Sequence, residues 1–251
     1  MEPRSLVGEA SRGATGQPVD DARQRLIIAL DVSSSAAART IVNAVGDSAR
    51  TYKVGKQLFT AEGPQAVRDL VAAQRQVFLD LKYHDIPNTV GAAVREAAKL
   101  GVNMVTVHAS GGGRMLRAAV QAAHSVNPQL IVLAVTVLTS LDDSDLEKMG
   151  VRGRVVDQVM RLAALALANG CQGVVASAQE ASELRAELGN EFAIVTPGVR
   201  PAGSGRSDQV RVVTPTEAIA AGATHIVVGR PITEAADPAA EARAILGQIS
   251  F

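Results

Sequence analysis

Apolar residues along this chain fall into two alternating patterns. Short runs rich in Val, Ile and Leu recur at RLIIALDV (25–32), RTYKVG (50–55), QVFLDL (76–81), VNMVTVHA (102–109), LIVLAVTVL (130–138), CQGVVAS (171–177), FAIVTPG (192–198) and THIVVG (224–229). These read as eight strands, with starts about 20 to 40 residues apart. Between them lie Ala-rich stretches with apolar positions at i, i+3 and i+4, the spacing of one helix face. They cover 34–46, 63–74, 90–101, 115–125, 155–170, 178–189, 214–223 and 237–249. Gly46, Gly101, Gly170 and Gly189 follow a last apolar turn and read as helix stops. Ser33, Thr216 and Asp237 stand where N-caps or first-turn residues are expected.

Strand alternating with helix implies parallel strands joined by right-handed crossovers. The strands are almost continuously apolar, as expected when both faces of a sheet are covered. Eight such units predict an α/β chain folded as a (β/α)8 TIM barrel. An open, doubly wound sheet is the alternative, but no GxGxxG follows the first strand. No low-complexity linker interrupts the body, so residues 25–251 are expected to form a single catalytic domain. The polar, Gly- and Ser-containing residues 1–24 are expected to be a flexible N-terminal tail.

Composition narrows the function. Lys plus Arg equals Asp plus Glu at 25 each, so no basic excess favours nucleic acid or an anionic membrane surface. Aromatics make up 2% of the chain, too few for a base-stacking platform. A lone cysteine, Cys171, rules out an internal disulfide framework and reads as a small core residue. No apolar stretch is long enough for a membrane span, and the N-terminal stretch lacks the apolar region of a secretion signal. The expectation is a cytoplasmic protein that binds neither nucleic acid nor membrane.

The chemistry concentrates at the ends of the strands, where the active site of such a barrel lies. Strand 1 ends in Asp31, strand 2 carries Lys53, and strand 3 carries Asp80 and Lys82, with Asp85 just beyond. Strand 4 ends in His108, strand 5 near Thr139, strand 7 in PGVR with Arg200, and strand 8 in VGR with Gly229 and Arg230. Residues two apart in a strand share a face. Asp80 and Lys82 should therefore face the barrel interior, with Leu79 and Leu81 facing the helices. A structural ion pair is the plain reading of Asp80 and Lys82. It weakens once Lys53 and Asp31 join them, because burying several charges is costly and apolar packing is often as stable. A balanced array of ammonium and carboxylate groups suits catalysis better.

The loops after strands 7 and 8 commonly hold phosphate in this fold. Here they supply PGVRPAGSGRSDQVR and VVGRPIT, in which Arg230 could grip two phosphate oxygens, Gly229 could admit a ligand to the backbone, and Gln209 could add a neutral donor. The PAGSGRS segment has the composition of a closing lid. GGG at 111–113 reads as a turn into a helix, and His84, His124 and His225 as isolated structural residues. No His/Asp/Glu spacing suggests a metal site, and no Ser–His–Asp arrangement is apparent.

Taken together, ALD, YKVG, DLKYHDIPNT, VLTS, TPGVR, SDQ and VGRPIT resemble the orotidine 5′-phosphate decarboxylase family over residues 25–250. A related group of sugar-phosphate decarboxylases shares the DxKxxD part alone. The resemblance implies a (β/α)8 barrel that forms a homodimer with active sites at the interface. It implies conversion of orotidine 5′-monophosphate to UMP and CO2 in pyrimidine biosynthesis, with no metal and no organic cofactor. It also implies residue roles: Lys82 as proton donor within an array of Lys53, Asp80, Lys82 and Asp85, with Asp85 and Thr89 contributed by the other subunit. Asp31 and Lys53 would hold the ribose hydroxyls, Asp80 would lie by the substrate carboxylate, and Thr139 would meet the pyrimidine. Arg200, Gln209, Gly229 and Arg230 would serve the phosphate. The rivals are a Mg²⁺-dependent sugar-phosphate decarboxylase, an aldolase using Lys82 as a Schiff base, and a binding protein without chemistry.

Overall fold

The computed structural model describes residues 22–201 and 213–249. Eight strands form a closed barrel in sequence order: β1 (Leu26–Ala29), β2 (Thr51–Gly55), β3 (Gln76–Tyr83), β4 (Met104–His108), β5 (Ile131–Val135), β6 (Gly173–Val175), β7 (Ala193–Thr196) and β8 (His225–Val228). All eight pairings are parallel, and β1 closes the ring on β8 through Ile27 opposite Val227. Each apolar run identified in the sequence contains one of these strands, except that β3 extends two residues beyond its run, to Tyr83.

Helices surround the ring: α1 (Ala22–Arg25), α2 (Ser35–Val45), α3 (Lys56–Glu62), α4 (Gln65–Ala72), α5 (Pro87–Lys99), α6 (Gly112–His124), α7 (Asp143–Lys148), α8 (Val155–Ala168), α9 (Ala178–Leu188), α10 (Pro215–Ala220), α11 (Arg230–Thr233) and α12 (Pro238–Ile249). The stop signals hold: Gly46, Gly101, Gly170 and Gly189 all take positive φ just past a helix. The cap of α2 is Ser34 rather than Ser33, its side chain accepting from the Ala37 N–H. Thr214 caps α10, leaving Thr216 in the first turn, and Asp237 accepts from the Ala240 N–H at the start of α12. Residues 22–24, expected in the tail, are helical in α1, which packs on α12, β1 and β8. Helix α3 was hidden because KQLFTAE has too few apolar positions to show a face. The GGG turn leads into α6 as expected.

Two cores follow from strand alternation. Outward residues such as Leu26, Ile28, Tyr52, Val54, Val77 and Leu79 pack under the helices. Inward residues Ile27, Ala29, Phe78, Met104, Leu133 and Val195 fill the barrel. At Gly173 of β6 the interior has no room for a side chain. A Cβ on Gly173 would lie 2.5 Å from the Ala193 carbonyl oxygen and 2.9 Å from Leu133 Cδ2. Cys171 is buried and its thiol is pushed up to about 12 by burial, as befits a core residue. Among the described residues no helix is long and apolar enough to cross a membrane.

Candidate active site

The inward phase of the strands sets the site. Ala29, Lys53 and Phe78 stand in register across β1, β2 and β3, and Gly55 stands opposite Asp80 two residues further up. Lys53 and Asp80 thus emerge from the top of an apolar barrel filling, each only 9% exposed. A cavity of about 500 Å³ opens above them. Its walls include Asp31, Lys53, Asp80, Lys82, Thr139, Arg200, Gly229 and Arg230, so eight of the expected site residues meet in one place. Apolar side chains from Phe78, Val135, Val175, Val195 and Val227 form its base.

Four charged groups form a chain of alternating sign. Lys53 Nζ donates to Asp31 Oδ1 at 2.9 Å and lies 3.8 Å from Asp80 Oδ2. Lys82 Nζ donates to both Asp80 oxygens, each at 2.7 Å. Two ammonium groups and two carboxylates therefore balance, and Asp80 is bracketed by both lysines. Gly55 makes this possible, since a Cβ there would sit 2.9 Å from Lys53 Nζ and 3.1 Å from Asp31 Oδ1. Its role escaped the sequence reading, although YKVG contains it.

Asp80 and Lys82 share the inward face as alternation predicts, but the backbone that carries Lys82 is irregular. Strand β3 is regular against β4 only as far as Leu79 opposite Val105; the next pair is Tyr83 opposite Val107. Four steps on β3 thus match two on β4, and the extra length forms a bulge. Lys82 lies in it with φ +54°, a left-handed backbone that costs a non-glycine residue on the order of 1–3 kcal/mol. From this bulge the ammonium reaches back onto Asp80, on the face the two residues share. Leu79 and Leu81 do face the helix-side core, as expected.

Thr106 of β4 was not anticipated. It is fully buried, accepts from the Lys82 backbone N–H at 2.9 Å, and donates to Asp80 Oδ1 at 3.0 Å. Its inward phase between Met104 and His108 was a readable signal. The histidines also differ from expectation. His108 does not line the cavity; its ring lies 5.2 Å from that of His84, so His84 is not isolated. Burial, followed by the charges of His84 and Lys82, pushes the His108 imidazole down from its ordinary range. Asp85 and Thr89 lie outside the cavity, both exposed, and Asp85 accepts from the Ile86 N–H at 2.6 Å.

After β7, Arg200 also lines the cavity; it is 9% exposed and its backbone N–H bonds the Val213 carbonyl at 3.0 Å. Gly229 precedes α11, and Arg230 opens it. A Cβ on Gly229 would make only ordinary contact with Ala29, at 3.6 Å. Gln209 and the PAGSGRS segment lie outside the described residues, apart from Pro201.

The family model described as orotidine 5′-phosphate decarboxylase / HUMPS family matches residues 24–245. The chain belongs to this family. A protein of Halorhodospira halophila called orotidine 5′-phosphate decarboxylase is 51% identical over 226 residues, covering 90% of this chain and 96% of that one. One of the same name from Idiomarina loihiensis is 50% identical over 225 residues, covering 90% and 97%. The crystal structure of orotidine 5′-phosphate decarboxylase from Lactobacillus acidophilus superimposes with a TM-score of 0.82 at 38% identity, covering 90% of this chain and 99% of that one.

Proposed function

We propose that this chain is a carboxy-lyase that converts orotidine 5′-monophosphate to UMP and CO2 in the cytoplasm. The observation that carries the proposal is the alternating chain Asp31, Lys53, Asp80, Lys82, which lines the same cavity as Arg200 and Arg230. Membership of the family and relatives of that name near 50% identity over most of the chain point the same way.

The chemistry follows from that arrangement. As the bond from C6 of the pyrimidine to its carboxylate breaks, the electron pair stays on C6 and CO2 departs. The pair occupies an orbital in the ring plane, so the ring cannot spread it. Fixed positive charge is then the main means of stabilising it. The Lys82 ammonium supplies that charge and afterwards transfers one N–H proton to C6, leaving an amine that regains a proton from water. Asp80 holds Lys82 in place from beside the departing carboxylate. Lys53 and Asp31 take the ribose hydroxyls, and Thr139 meets the pyrimidine. Arg200, Gly229 and Arg230, with Gln209, hold the phosphate. Binding energy from that unreactive end helps to order the charged groups around the reacting carbon.

The working form is a homodimer in which Asp85 and Thr89 of the partner subunit complete the array. In support, both residues are exposed at the start of α5, and Ile86 between them is 65% exposed, unusually high for a large apolar side chain. The decisive experiment follows the ultraviolet absorbance of orotidine 5′-monophosphate with and without EDTA. Turnover in both is expected. No turnover in either overturns the proposal, and activity confined to added Mg²⁺ and a sugar-phosphate substrate moves the chain to that branch of the family.

A further inference from the structure

The Thr106 hydroxyl has one proton and two bonds, so its roles are fixed. It receives the Lys82 backbone N–H and gives its own proton to Asp80 Oδ1. One oxygen thus ties together the backbone of the lysine and the carboxylate that the same lysine grips with its ammonium. In a regular parallel strand a ladder carbonyl takes such an N–H. At the β3 bulge, where Leu79 pairs with Val105 and Tyr83 with Val107, the threonine hydroxyl substitutes for it. The turn it holds is a strained one, with Lys82 at φ +54°. Without the hydroxyl, the Lys82 N–H loses its acceptor and Asp80 Oδ1 loses a donor, so both the turn and the carboxylate that the ammonium grips are held less firmly.

We propose that Thr106 is a positioning residue for the decarboxylation: it locks the β3 bulge in the conformation that folds Lys82 Nζ over Asp80. Thr106 is not among the residues lining the cavity, so it acts through Lys82 and Asp80 rather than on substrate. The inference rests on the proposed role of Lys82, and its test separates the two.

Thr106→Val keeps the shape of the side chain and removes both bonds; Thr106→Ser keeps the hydroxyl. Each is assayed for kcat and KM on orotidine 5′-monophosphate, for affinity toward UMP, and for melting temperature. Thr106→Val is expected to lower kcat on the order of 10- to 100-fold while leaving UMP affinity unchanged. Thr106→Ser is expected to keep most of the wild-type kcat. Wild-type kcat in Thr106→Val overturns the inference. So does a parallel loss of kcat and UMP affinity, or failure of that variant to fold, since either assigns Thr106 to general core packing. A Thr106→Ser variant as slow as Thr106→Val overturns it too. If the wild-type protein itself does not decarboxylate the nucleotide, the functional reading fails instead.

Discussion

At the mouth of the barrel, two ammonium groups and two carboxylates share one wall; toward its floor, the inward polar side chains of Thr51 and His225 carry no charge. Thr51 settles its hydroxyl on Gln76 at 3.0 Å. His225 sits against the Thr224 hydroxyl at 2.8 Å, and its imidazole is pushed down to about 4, chiefly by burial and secondarily by the charge of Arg25. The difference is one of pairing and solvent. At the mouth each buried charge meets an opposite one within 4 Å and borders an open cavity. At the floor a lone ionised group would have to surrender its hydration without a partner, so the neutral form prevails. The mouth is therefore the end to which the proposed chemistry is assigned, and the floor the end to which stability is.

This contrast predicts that mouth variants lose activity and keep the fold, and that floor variants do the reverse. The largest effect is expected from Lys82→Ala, with kcat falling at least about 10⁴-fold while circular dichroism and UMP binding persist. Retention of most activity would remove the mouth from the chemistry. Arg230→Ala comes next: kcat/KM for the nucleotide should fall about 100-fold, with little change for the unphosphorylated nucleoside. Equal losses on both substrates would contradict a phosphate role.

At the floor, acid is the probe. The unfolded imidazole titrates near 6.5 and the folded one near 4, so between these values the unfolded chain binds a proton that the native fold does not. Stability from His225 is full above about pH 6.5 and declines as pH falls toward 4, by about 3 kcal/mol in all. Urea titrations at pH 7 and pH 5 should show this slope, and His225→Gln should flatten it; an unchanged slope in the variant refutes the assignment. Gly173→Ala tests the tight interior, where the new Cβ would lie 2.5 Å from the Ala193 carbonyl oxygen. It should lower stability by about 1–3 kcal/mol. A melting temperature equal to wild type would show that the barrel relaxes there at no cost.

The barrel was legible because burial on both faces writes long apolar runs into the chain, and helix faces repeat between them. Lys53 and Asp80 were legible as inward residues for the same reason: the period of a strand is local. Lys82 was legible as a residue sharing the inward face of Asp80, but not the left-handed bulge that carries it, since that depends on how β3 pairs with β4. The bond from Thr106 crosses 24 residues of sequence to reach the Lys82 N–H. The pairing of His84 with His108 is equally invisible along the chain, because neither spacing nor composition relates them.

What the sequence alone determined, then, is the alternation of strand and helix, the apolar filling of the barrel and the set of charged residues delivered to its rim. These depend on periodicity and on residue type, which act within a few neighbours. Tertiary structure alone decided that Asp31, Lys53, Asp80 and Lys82 link in one chain, that a left-handed backbone aims the last of them, and that a threonine from the next strand holds the turn. Those are contacts between distant segments, and they exist only once the closing of the barrel has set the register between its strands.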